Sequence, residues 1–155
     1  MYEFESSKEV REIKEICLRL LTRREHSQKE LRDKLVQQGF DSSEVQAVIS
    51  DLAQQNWQSD QRFAESYARH RIKKGFGPIK INYEIQQRGI HNFDPDSILL
   101  DLAESWLEIL EQVYRKKYTK IKPVTHAERS KQSRFLLQRG FSSEMIKQFF
   151  QQIRE

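Results

Sequence analysis

One phrase occurs three times along this chain. Leu35-Val-Gln-Gln-Gly39-Phe40, Ile85-Gln-Gln-Arg-Gly89-Ile90 and Leu136-Leu-Gln-Arg-Gly140-Phe141 each set an apolar residue four positions before a glycine and another directly after it. The glycines fall 50 and then 51 residues apart. A glycine in this place ends a helix, because it enters the left-handed region without a Cβ clash. A self-similar period in this range is the mark of a repeat array, in which each unit packs mainly on its neighbours.

The remaining punctuation fits that period. Ser27-Gln-Lys-Glu30 reads as a capping box that starts a helix through Leu31, Leu35 and Val36 to Gly39. Before it, Val10, Ile13, Ile16, Cys17, Leu20 and Leu21 form one apolar stripe at helical spacing, opened by Ser6 or Ser7. After it, Asp41 caps a helix through Val45, Val48, Ile49 and Leu52. The second unit has the same order. Phe63, Ala64, Tyr67 and Ala68 give its first helix, Pro78 to Gly89 its second, and Asp94-Pro95 opens a third with Ile98, Leu99 and Leu102 inward. In the third unit an apolar stripe from Trp106 to Tyr114 is followed by a break at Lys120 to Pro123. A Thr125-His-Ala-Glu128 capping box and a last helix capped by Ser142 complete it.

No strand-type alternation persists. The expected fold is all-α: an elongated, curved tandem array of three three-helix repeats, about nine helices, with a tail over 1–9 and repeats over 10–58, 59–105 and 106–155.

Composition narrows the function classes. The single cysteine, Cys17, excludes an intramolecular disulfide and a cysteine zinc site, and reads as a small buried hydrophobe. His26, His70, His91 and His126 lack metal or catalytic spacing and read as surface or turn residues. Gly75-Phe-Gly77-Pro78 lacks the phosphate-loop pattern and reads as a turn into a proline-started helix. The expectation is a protein that is not an enzyme, with no cofactor, no metal, no small-molecule substrate and no membrane span, residing in the cytoplasm as a monomer.

Charge is unevenly spread. Net charge is −3 over residues 1–60, +5 over 61–90, −6 over 91–111 and +8 over 112–155. The six carboxylates between 91 and 111 read as a solvated helical face without a basic counterpart, or as a contact for a basic partner. Arg69, Arg71, Lys73, Lys74, Lys80 and Arg88 bracket the central turn. Arg115, Lys116, Lys117, Lys120 and Lys122 crowd the end of the seventh helix, and Arg129, Lys131, Arg134 and Arg139 line the eighth. The helix dipole accounts for part of this, but not for nine basic residues against Glu128 alone between 112 and 139. Such a face would bind nucleic-acid phosphates with a steep salt dependence, or an acidic protein surface equally well.

The block Trp57-Gln-Ser-Asp60-Gln-Arg62-Phe63-Ala64-Glu-Ser-Tyr67, followed by Lys74-Gly75-Phe76-Gly77-Pro78 and the helix to Gly89-Ile90, resembles the RecX family of bacterial regulators of the RecA recombinase. Ser27 to Leu31, Arg115 to Tyr118 and Arg134 to Phe141 extend the resemblance from about residue 10 to the C-terminus. Two departures stand out: Ser59-Asp60 replaces the acidic pair common in the family, and Phe76 replaces a frequent tyrosine. The resemblance implies tandem three-helix repeats. It also implies binding in the groove of the RecA filament on single-stranded DNA, with inhibition of filament extension, ATP hydrolysis and strand exchange, and so an influence on recombination, DNA repair and the SOS response. The alternative is a stand-alone nonspecific DNA-binding helical array; direct weak DNA contact is compatible with either. Charge and position, rather than the family's motif, select the contact candidates: Arg69, Arg71, Lys73, Lys74, Phe76, Lys80, Arg88, Arg115, Lys116, Lys117, Lys120, Arg129, Lys131 and Arg134.

Overall fold

The computed structural model describes residues 8–118, 123 and 125–154. Among these there are nine helices and no strand: α1 (Lys8–Arg23), α2 (Gln28–Gln37), α3 (Ser42–Gln54), α4 (Asp60–Lys73), α5 (Pro78–Gln87), α6 (Asp96–Leu99), α7 (Trp106–Lys117), α8 (His126–Gln138) and α9 (Ser143–Arg154). The expected cap at Ser6 or Ser7 and the break at 120–122 lie outside the described residues.

α2, α3, α8 and α9 start where side-chain oxygens meet free backbone N–H groups. Ser27 and Glu30 form the full reciprocal box. Asp41 accepts from the Glu44 N–H at 3.1 Å, Thr125 from the Glu128 N–H at 3.1 Å and Ser142 from the Met145 N–H at 3.1 Å. α2, α5 and α8 stop at glycines: Gly39, Gly89 and Gly140 have φ of 99°, 91° and 103°.

Contact density divides the chain into two units. The first comprises residues up to Ser66 with Gln87–His91. Ile13, Cys17 and Leu20 of α1, Leu31 and Leu35 of α2, and Val45, Val48, Ile49 and Leu52 of α3 make its core. Cys17 is fully buried there, as its place in the stripe predicts, and burial pushes its thiol up to about 11. The α3–α4 connection is tied back by polar bonds. Gln58 Nε2 donates to the His26 carbonyl (3.1 Å) and to Asp60 (3.0 Å), which also accepts from the Gln28 N–H (2.9 Å). His26 is therefore a buried turn residue rather than a surface one. Trp57, in the same connection, is exposed.

The second unit comprises Tyr67–Gln86 and residues from Asn92 onward. Its core centres on Tyr114 of α7, whose ring meets Phe149 and Phe150 of α9 at 4.9 and 6.0 Å. The buried Tyr114 hydroxyl donates to Gln132 Oε1 at 2.9 Å. The acidic stretch 91–111 departs from the single solvated helical face expected of it. α6 stops after four residues, Leu100 projects into solvent, and Ser105 caps a new helix by accepting from the Glu108 N–H at 3.2 Å. Its carboxylates have partners: Asp94 caps the Asp96 N–H, Asp96 accepts from the buried Trp106 indole (2.6 Å), and Asp101 pairs with Arg69.

Candidate functional site

The turn between α4 and α5 is the most constrained piece of the second unit. Gly75 has φ of 87°, which lets α4 end and the chain reverse. The Gly77 N–H donates to the Arg139 carbonyl at 2.8 Å, and the Ile79 N–H to the Gly140 carbonyl at 3.0 Å. The start of α5 thus supplies N–H donors to the orphan carbonyls at the end of α8. In return, Arg139 donates to the Lys74 carbonyl at 2.8 Å.

Phe76 does not stand free at this turn. Its ring is held between two guanidinium groups, with Arg71 Cζ 3.7 Å and Arg139 Cζ 4.3 Å from the ring centroid; Lys80 Nζ lies at 5.3 Å. The two arginines differ in compensation. Arg71 forks onto Glu84 with two bonds of 2.9 Å, and the Tyr67 hydroxyl completes that carboxylate at 3.1 Å. Arg139 has no carboxylate partner among the described residues, and its buried Nε has no hydrogen-bond acceptor. Burial, and then the neighbouring Arg71, push its pKa below the ordinary arginine value.

Arg139 also lines a groove of about 430 Å³. Lys73 and Lys74 from the end of α4 and Lys116 and Lys117 from the end of α7 form its rim; the part-exposed Phe135 ring lines it over the buried Ile72 and Val113. No carboxylate among the described residues lines it, and these four lysines are exposed. Lys117 Nζ sits 4.5 Å from the Phe135 ring centroid. The sequence places the two lysine pairs 43 residues apart; the fold puts them around one depression.

The other candidates lie elsewhere. Arg69 pairs with Asp101 at 3.4 Å and Arg115 with Glu111 at 2.9 Å. Lys80 reaches the Gln138 carbonyl at 3.5 Å. Arg88 belongs to the first unit, 3.8 Å from Glu30. Arg129 lies 5.2 Å from the Phe150 ring centroid in a separate pocket with Thr125, His126 and Ile153. Lys131 and Arg134 are exposed on α8, and Lys120 is outside the described residues. Arg139, named from sequence only as part of the α8 basic row, is the residue the candidate set lacked. The available signal was its place directly before the helix-ending glycine, where a side chain turns back onto the carbonyls it helps to satisfy.

Among the described residues no cluster of His, Cys, Asp or Glu could hold a metal ion, and no helix is long and apolar enough to cross a membrane.

Three family models match along the chain: the first three-helix domain of RecX over residues 14–52, the second over 59–94 and the third over 103–150. The chain belongs to the RecX family. It is 41% identical over 141 residues to Regulatory protein RecX of Legionella pneumophila (strain Corby), covering 89% of this chain and 92% of that protein. It is 37% identical over 134 residues to Regulatory protein RecX of Pseudomonas fluorescens (strain SBW25), covering 86% of each. The crystal structure of RecX from Lactobacillus salivarius shares the fold, with a TM-score of 0.76 at 21% identity over 94% of this chain and 97% of that one. A second RecX crystal structure gives a TM-score of 0.73 at 22% identity, covering 91% of this chain and 71% of its own. The all-α architecture of three RecX three-helix domains is thus the one the glycine period predicts.

Proposed function

We propose that this chain is a cytoplasmic regulator that binds the RecA nucleoprotein filament on single-stranded DNA and suppresses its extension, ATP hydrolysis and strand exchange. Through the filament it modulates recombination, repair and the SOS response. The reading is carried by family membership: near-complete overlap, at 41% identity, with a protein named as a RecX regulator. The basic groove at Lys73, Lys74, Lys116 and Lys117 supports it, since exposed cations with no carboxylate partner among the described residues suit a polyanionic assembly. Steering by such a groove raises association rates at low salt and weakens as salt screens it.

The test is RecA ATPase activity on single-stranded DNA, titrated with this protein. The expected result is suppression at protein levels far below those that coat the DNA. Inhibition that appeared only at full coating, or that vanished with excess competitor DNA, would instead establish a nonspecific DNA-binding array.

A further inference from the structure

We propose that the groove bounded by the ends of α4, α7 and α8 receives an acidic peptide segment of a partner protein, one carboxylate seated on Arg139 and an apolar side chain lying against Phe135. The proposal rests on the regulator reading and names what the groove holds.

Three observations converge. Arg139 is a partly desolvated guanidinium with a second guanidinium across Phe76 and no carboxylate of its own among the described residues. Its partly exposed guanidinium thus remains without a counter-charge, which a carboxylate arriving from outside would supply. Its near twin shows the alternative: Arg71, against the same ring, is neutralised in place by Glu84. Around Arg139 the groove adds four lysines and, among the described residues, no acidic group. The whole depression is therefore complementary to an anion, and Arg is the side chain whose fork matches a carboxylate.

A nucleic-acid strand would be the other anionic occupant, and the aromatic geometry argues against it. Nonspecific single-strand binders stack bases on open aromatic faces. Here Phe76 is covered on two sides by Arg71 and Arg139. Phe135 has Lys117 4.5 Å from its centroid and Tyr118 packed edge-on at 5.9 Å. What the groove offers besides charge is the part-exposed Phe135 ring over a floor of the buried Ile72 and Val113, an apolar wall that a peptide side chain uses and a phosphodiester does not.

The test uses the full chain and a fluorescein-labelled peptide of glutamates with spaced leucines, with a glutamine-for-glutamate version and an oligothymidylate as comparisons. A chain carrying Lys73→Glu and Lys116→Glu should keep its helical circular dichroism, both side chains being exposed. It should bind the acidic peptide about tenfold more weakly, as expected when charge pairs are reversed. The glutamine peptide should not bind, and oligothymidylate should not displace the acidic one. Arg139→Lys keeps the charge and removes the fork, and should weaken the peptide severalfold. Equal peptide affinity in wild type and the double variant overturns the proposal, as does displacement by oligothymidylate. Either result can occur while RecA ATPase inhibition persists, which leaves the regulator reading intact. Conversely, peptide binding by a wild-type chain that fails to suppress the ATPase supports the groove and removes the regulator reading.

Discussion

Gly77 and Gly140 meet backbone to backbone: a Cβ built on Gly77 would lie 2.5 Å from the Gly140 carbonyl carbon and oxygen. That approach lets the Gly77 N–H reach the Arg139 carbonyl and the Ile79 N–H the Gly140 carbonyl. Gly77→Ala must push the α4–α5 turn off α8. The expected cost is about 3 kcal/mol, the upper part of the overpacking range, or a melting temperature lower by roughly 6–12 °C in a domain of this size. Gly39→Ala is the comparison. Gly39 has nothing within 4 Å of its Cβ position and a φ of 99°, so only conformational strain applies. That strain is about 1–2 kcal/mol. Thermal melts in which Gly77→Ala was no worse than Gly39→Ala would exclude the close approach.

The Arg71–Glu84 fork should behave as a structural pair. Both side chains are about one-fifth exposed, and Glu84 also accepts from Tyr67. Glu84→Gln removes the charge but keeps the shape, leaving Arg71 partly buried beside Arg139. Urea unfolding should show a loss of about 1–3 kcal/mol. A double-mutant cycle with Arg71→Met should return a coupling of about 1 kcal/mol. Zero coupling would mean the pair adds nothing beyond packing.

His26 gives the first unit an acid-sensitive point. Burial holds its pKa below the ordinary 6.5, outweighing the opposing effects of the Arg24 carbonyl and Glu30; Arg24 and Lys34 push the same way as burial. Since a carbonyl only accepts, Nδ1 carries the proton in its 3.0 Å bond to Arg24, and the neutral ring is the folded form. The unfolded chain takes up a proton at higher pH than the folded one. Stability is therefore full above the unfolded pKa and falls as pH drops below it. Urea midpoints between pH 7.5 and pH 5 should fall more in wild type than in His26→Gln. Parallel pH profiles would assign the acid sensitivity to other groups.

Cys17 should be chemically silent in the folded protein. Its thiol is fully buried and its pKa is pushed up to about 11, so little thiolate exists near neutral pH and none is accessible. A thiol-reactive dye should label it slowly in buffer and at once in denaturant. Prompt labelling of the folded chain would show that α1 opens readily from α2 and α3.

The legible and illegible parts of this molecule divide by range. Ser27 with Glu30, Asp41 with Glu44 and Thr125 with Glu128 are read correctly because a cap is settled within four residues. Gly39, Gly89 and Gly140 are legible for the same reason, and their period sets the repeat. The shortness of α6 was not legible. Ile98, Leu99 and Leu102 carry a helical spacing, but the Ser105 cap commits the chain to a fresh start seven residues into the stripe. The candidate site was legible as charge and illegible as geometry. Arg71 and Lys73 look alike in the sequence; only packing shows that one is matched by Glu84 thirteen residues away and the other is not. The Phe76–Arg139 contact joins residues more than sixty positions apart, so no local pattern could encode it.

The two tryptophans occupy opposite environments, one in each contact unit. Trp57 is 61% exposed, while Trp106 is 7% exposed with its indole N–H bonded to Asp96. Excited together, they emit at different wavelengths, a red component from the wetted ring and a blue one from the enclosed ring. The wild-type protein thus contains an internal optical reference. Unfolding around α7 shifts the blue component towards the red, while Trp57 supplies a nearly constant background, and Trp57→Phe isolates the responsive signal without any added dye.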